Sequence, residues 1–185
     1  MPVVISMLRG VNLGPHNRIK MDALQALYER LGFENPKTYV QSGNVVFKTR
    51  ERDLAKVARK IEKAIEETFG FRTPVILRTI PELREVIARN PFAARRGIEP
   101  NRLLVTFLAI EPDAEARDKI LKIQCDPEEL CMSARELYIY FPNGMARPKL
   151  SPAVLDRALK TPGTGRNWNS VTKLLALAET MEAGG

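Results

Sequence analysis

The sequence predicts an α+β protein made of two ferredoxin-like (split β-α-β) plaits with extra helices and antiparallel or mixed sheets. Three observations support this. The order strand-helix-strand-strand-helix-strand can be read in residues 3 to 79 and again, less cleanly, in 102 to 166. Hydrophobic residues make up 44% of 185 positions, enough for packed cores. Between the repeats, Asn90 to Asn101 holds two prolines and the Arg95-Arg96 pair, the composition of a boundary. The expected domains are 1–80, a connecting helix and linker over 81–101, and 102–185 with a C-terminal helix.

Each element has a local reason. Residues 3 to 9 are mostly apolar and branched, as in a strand buried on both faces. Gly10 to Lys20 is a loop. Met21, Leu24, Leu27, Tyr28 and Leu31 fall at helical spacing, and Gly32 supplies a left-handed stop. Strands at 38–41 and 45–48 flank Ser42-Gly43-Asn44, read as a tight hairpin with Gly43 and Asn44 tolerating positive φ. Leu54, Val57, Ile61, Ala64 and Ile65 stripe a helix over 51–69 that Gly70 ends, before a strand over 73–79. Thr79 to Glu82 has capping-box spacing for a helix running to about Arg89.

In the second repeat a strand (103–109), a helix (113–123) and a hairpin (129–133, 137–141) precede a helix capped by Ser151 with Pro152 in its first turn. Thr161 to Asn167 is Gly-rich, a short strand or a loop. Asn169 or Ser170 is the expected cap of the last helix, which buries Val171, Leu174, Leu175, Ala178 and Met181. Strand one is apolar on both faces, so something must cover its open side: the sister sheet, a connecting helix or a second subunit.

Composition removes several functions. His16 is the sole histidine, which all but excludes a His-based triad or a multi-His metal centre. Cys125 and Cys131 are read as reduced thiols. No metal and no cofactor is expected. No apolar run approaches the length needed to cross a bilayer and no signal peptide opens the chain, so a cytoplasmic protein without membrane contact is expected. The net charge of +7 is concentrated in residues 1–80, with 14 basic against 8 acidic side chains. That bias suits an anionic partner: nucleic acid, a nucleotide or a phosphorylated metabolite.

Right-handed crossovers place the end of strand one, the hairpin between strands two and three, and the end of helix two at one edge of the first sheet. That edge gathers Arg9, Gly10, Asn12, Lys20, Ser42, Gly43, Asn44 and Arg72, at a helix N-terminus suited to an anion. A second candidate segment is Arg166, Asn167, Trp168 and Lys173, where an arginine for a phosphate or carboxylate adjoins a flat aromatic face. The strands lack the Gly and spaced aromatics of an RNA-binding sheet, which leaves contacts at the loop edge. Two other functions remain open: an enzyme using lysine and serine at the same edge, and an interaction protein that dimerises through covered sheet faces.

Leu8-Arg9-Gly10-Val11-Asn12-Leu13-Gly14, Lys20-Met21, Leu31-Gly32, the stretch from Thr38 to Phe47, Asn90-Pro91-Phe92 and the stretch from Arg166 to Lys173 together resemble the signatures of a bacterial family, domain of unknown function 1697. Small departures are Pro15-His16, where relatives have a glycine and a polar residue, and Ser170 in place of Thr. The resemblance implies a pair of ferredoxin-like domains and assigns no activity, ligand or catalytic residue.

Overall fold

The computed structural model describes residues 1–185, which pack as two compact units, one formed by 1–84 with 173–185 and the other by 85–172. In the first, β1 (Val3–Leu8), α1 (Met21–Arg30), β2 (Glu34–Tyr39), β3 (Asn44–Lys48), α2 (Leu54–Phe69) and β4 (Val75–Thr79) lead into α3 (Ile80–Ala88). In the second, β5 (Leu103–Leu108), α4 (Ala114–Leu121), β6 (Glu129–Ser133), β7 (Glu136–Tyr140), α5 (Pro152–Leu159) and β8 (Gly163–Asn167) lead into α6 (Trp168–Ala183). The fold is thus α+β, with two four-stranded antiparallel sheets ordered β2-β3-β1-β4 and β6-β7-β5-β8, and six α-helices. No helix is long and apolar enough to cross a membrane.

The first core forms because alternate residues of β1 and β3 meet the apolar stripes of α1 and α2. Val4, Leu8, Val45 and Phe47 pack with Leu24, Leu27, Val57, Ile61 and Ile65. Tyr28 stands edge-on to Phe47 with centroids 5.2 Å apart, and Phe33 adds a second ring 4.5 Å from Phe47. Its phenol shares a 2.7 Å hydrogen bond with the Ser6 hydroxyl, so two polar groups enter this core as a satisfied pair. Burial pushes the Tyr28 phenol well above its ordinary range. The opposite face of β1, Val3, Ile5 and Met7, is also buried, as its continuous apolarity requires.

Caps fix the helix starts. Asp53 accepts from Lys56 N at 3.1 Å and Asp113 from Ala116 N at 2.7 Å. Thr79 and Glu82 exchange the two bonds of a capping box, at 2.7 Å and 3.3 Å, and Ser151 caps α5 at 3.4 Å. In the second unit the 85–101 segment is tied to its sheet: Tyr138 donates to Val86 O at 2.6 Å, Phe92 stacks near Tyr140, and Arg95 pairs with Glu129 at 2.6 Å.

Several sequence expectations need correction. The second strand begins at Glu34, not Thr38, because β2 is an edge strand, and such a strand tolerates Pro36 at an irregular step of its pairing. Asn35 takes φ 51°, and the register with β3 shifts between Glu34 and Lys37. The hairpin turn is Val40–Gly43, with positive φ at Val40 and Gly43; Asn44 lies in β3 opposite Tyr39 and Met7. The Gly-rich 163–167 segment is a strand. The cap of α6 is Asn167, whose Oδ1 accepts from Ser170 N at 2.9 Å, rather than Asn169 or Ser170.

Candidate functional site

The loop edge of the first unit is built around the end of β1. Leu8 N donates to Gly43 O and Arg9 N to Pro74 O, each at 3.0 Å. The Thr73 hydroxyl donates to Arg9 O at 2.5 Å. These bonds draw the Arg9–Lys20 loop, the β2–β3 turn and the start of β4 together, as the crossover argument requires.

Asn12 is the clasp. Its Nδ2 donates to Ile19 O at 2.9 Å and to Gln41 O at 2.8 Å, while Oδ1 accepts from Ile19 N at 2.9 Å. Asn suits the post because its short amide reaches all three groups from the left-handed conformation it adopts, φ 58°. Asn44, fully buried, donates to Tyr39 O at 3.1 Å and to the Ser42 hydroxyl at 2.8 Å, holding the turn from within β3. Gly43 has φ 74°, and a Cβ there would lie 2.9 Å from Leu8 Cβ; Gly10 also has positive φ but faces open space.

The basic members are placed differently. Lys20 is exposed at the first position before α1, in extended conformation, and makes no side-chain cap bond, while the Asp22 carboxylate in the first turn accepts from Ala23 N at 2.8 Å. Arg18, which sequence reasoning left out, is exposed beside it and donates to Gly14 O at 3.2 Å. Arg9 is half-buried. Arg72 is exposed and bonded to Glu66 at 2.7 Å, which raises its pKa further. Thus Arg9, Gly10, Asn12, Lys20, Ser42, Gly43 and Asn44 share one edge, and Arg72 there is engaged by a carboxylate.

The second candidate segment belongs to β8 and α6. Arg166 is 6% exposed and donates to the Thr164 hydroxyl at 2.7 Å and to Gly165 O at 2.8 Å. Burial lowers its pKa to about 10. Asn167 is occupied as the α6 cap, Trp168 is half-buried in the first turn, and Lys173 is exposed further along the helix.

Sequence reasoning also missed the counterpart of Arg166. Arg78 stands opposite Ile5 in β4, as Arg166 stands opposite Val105 in β8. It is 1% exposed and donates to the carbonyl of the residue before it, Leu77, at 2.9 Å, as Arg166 does to Gly165. In both units the arginine is followed by a capping residue, Thr79 or Asn167, and then a helix. No group of His, Cys, Asp or Glu residues is arranged to hold a metal ion. Burial and nearby carboxylates raise both thiol pKa values, so neither cysteine is an activated nucleophile.

Comparison with solved structures finds a similar fold in a conserved bacterial protein of Streptococcus pneumoniae. It is 19% identical, with a TM-score of 0.72, over 96% of this chain and 98% of that one. No curated protein matches the chain. Residues 1–138 match the family described as Protein of unknown function (DUF1697), a span that includes the whole Asn12 clasp and β1–β4 sheet and stops before Arg166. The chain belongs to the DUF1697 family.

Proposed function

We propose that this protein binds an anionic, phosphate-bearing ligand, a nucleotide, nucleic acid or phosphorylated metabolite, at the loop edge of its first unit. Each unit is read here as a ferredoxin-like plait, for which the strand order and the β-α-β-β-α-β connectivity are the support. The observation that carries the binding reading is the Asn12 clasp. It fixes the loop against the β2–β3 turn, so that the exposed Arg18 and Lys20 immediately precede the start of α1, where Asp22 takes only the Ala23 N–H. Asn12 and Asn44 are the frame of this site rather than ligand contacts, and Arg9, Arg18 and Lys20 carry its charge. The lysine and serine enzyme reading gains no support, because the Ser42 hydroxyl accepts from Asn44 and lies on the frame.

Titration of a fluorescent single-stranded oligonucleotide and of a labelled nucleotide, at several salt concentrations, tests the reading. Affinity for at least one probe should fall as salt rises, and Arg18→Gln with Lys20→Gln should weaken it about tenfold or more. An affinity indifferent to salt, or equal in the double variant, would refute it.

A further inference from the structure

The two sheets treat corresponding edge strands differently. In the orders β2-β3-β1-β4 and β6-β7-β5-β8, β2 and β6 occupy the same outer place. An outer strand offers unpaired N–H and C=O groups to any other strand, and proteins block that pairing with proline, charge or a break in register. β2 carries all three: Pro36, the exposed Glu34 and Lys37, and a register shift between those two residues. β6, Glu129-Leu130-Cys131-Met132-Ser133, carries neither proline nor lysine and pairs with β7 without interruption. Each of its residues is half-buried, and its one charged side chain, Glu129, is paired with Arg95 at 2.6 Å.

The ladder decides which groups of β6 face outward. Leu108 N donates to Arg135 O at 2.8 Å, so the polar backbone groups of the next residue, Glu136, point away from β5 and toward Ser133. Alternation then turns the backbone groups of Cys131 toward Tyr138 of β7, and those of Leu130 and Met132 toward the open edge. No backbone bond beyond the sheet engages either residue.

That spacing is self-complementary. A second β6, antiparallel and related by a two-fold axis at Cys131, sets Leu130 opposite Met132 of the other copy and Met132 opposite its Leu130, both as hydrogen-bonded pairs. Cys131 meets Cys131 at the axis as a non-hydrogen-bonded pair, and Glu129 meets Ser133, so no like charges oppose each other. Leu130 and Met132 already pack against the core that contains Leu137 and Ile139, and the pairing continues that apolar layer from one copy into the next. α4, which packs against β6, ends on Leu121, 54% exposed. Any extended peptide would find the same backbone groups, but β6 itself matches them residue for residue.

We propose that β6 is a homodimerisation edge, at which two copies of this chain join their second sheets into one antiparallel sheet of eight strands. The proposal is independent of the anion reading at the loop edge of the first unit.

Cys131 is the reporter. In a Cys125→Ser background it is the only thiol. Copper phenanthroline, which takes two electrons from a pair of thiols as their protons leave, should join it to Cys131 of the second copy and give a dimer on a non-reducing gel. Cα atoms of a non-hydrogen-bonded pair stand about 4.5 Å apart, within disulfide range. Moving the thiol, with Cys131→Ser and Ser133→Cys, separates the two copies' thiol positions by four strand spacings, about 13 Å, so that cross-link should form about tenfold more slowly or worse. Sedimentation of the full wild-type chain from micromolar to millimolar concentration should show a reversible dimer. Met132→Pro removes an outward N–H that β7 does not use, so it should fold and lose the dimer. A strict monomer at millimolar concentration, equal cross-linking from positions 131 and 133, or a dimer undiminished in Met132→Pro would overturn the proposal. A dimer that cross-links from neither position would also overturn it, because the contact would then lie on another surface. Should Met132→Pro fail to fold, the two thiol positions decide the question alone.

Discussion

Replacing Gly43 by alanine tests whether the β2–β3 turn is held as tightly as its contacts indicate. Two costs add. At φ 74° an alanine occupies the left-handed region, which costs about 1 to 2 kcal/mol for a residue with a Cβ. That Cβ would also stand 2.9 Å from Leu8 Cβ, closer than real Cβ atoms approach. Leu8 is fully buried in β1, and its N–H donates to Gly43 O at 3.0 Å, so the turn cannot retreat without stretching that bond. Overpacking of this kind costs about 1 to 3 kcal/mol. Gly10→Ala is the control, because its φ of 65° carries the first cost while open space removes the second. Urea unfolding should therefore show Gly43→Ala less stable than wild type by about 2 to 5 kcal/mol and Gly10→Ala by about 1 to 2 kcal/mol. Equal losses in the two variants would refute the reasoning, since only the Leu8 contact separates them.

Two further outcomes are expected. Asn12→Ala deletes two donated bonds and one accepted bond, so it should lower stability by about 2 kcal/mol and should also weaken any anion bound at the edge; a variant as stable as wild type in urea would show that the clasp is idle. The Tyr28 phenol is raised in the folded state above its unfolded value of 10.0, chiefly by burial. The neutral form is the one the fold favours, so this contribution is complete below pH 10 and declines as pH rises further, by about 1.4 kcal/mol per unit. Tyr28→Phe removes that proton, and its stability should fall less steeply than that of wild type above pH 10; parallel pH profiles would show the phenol to be accessible.

The elements that were readable from the sequence are those where one periodicity acts alone. The stripes of α1 and α2 and the unbroken apolarity of β1 each correspond to a surface buried in the fold, and Ser151-Pro152 and Thr79 to Glu82 announce their helices by capping chemistry that is local. The misreadings fall where a tertiary partner overrides a local preference. Asn35-Pro36 has the composition of a turn, yet β2 continues through it because pairing with β3 resumes at Lys37. Asn44 has the composition of a left-handed turn residue, but its amide is better used from an extended position, where it reaches Tyr39 O and the Ser42 hydroxyl. Val40 then takes positive φ in its place, the strain falling on an exposed residue.

The candidate sites divide along the same line. The loop edge could be assembled on paper because crossover handedness alone brings β1's end to the β2–β3 turn. What topology does not convey is which polar groups remain for a ligand once the backbone has been satisfied. Asn12 and Asn44 are spent on carbonyls, while Arg18, unremarked among the loop's charges, stands exposed. Arg78 was within reach. Superposing the two repeats by their strand-to-helix junctions sets Arg78-Thr79-Ile80 on Arg166-Asn167-Trp168, and an arginine recurring at the same register, buried in both, marks a position that the repeated architecture itself occupies with a guanidinium. An internal repeat thus supplies a comparison that a single sequence otherwise lacks. It marks the role of Arg166 as one that Arg78 shares and that belongs to the fold rather than to a site of one unit.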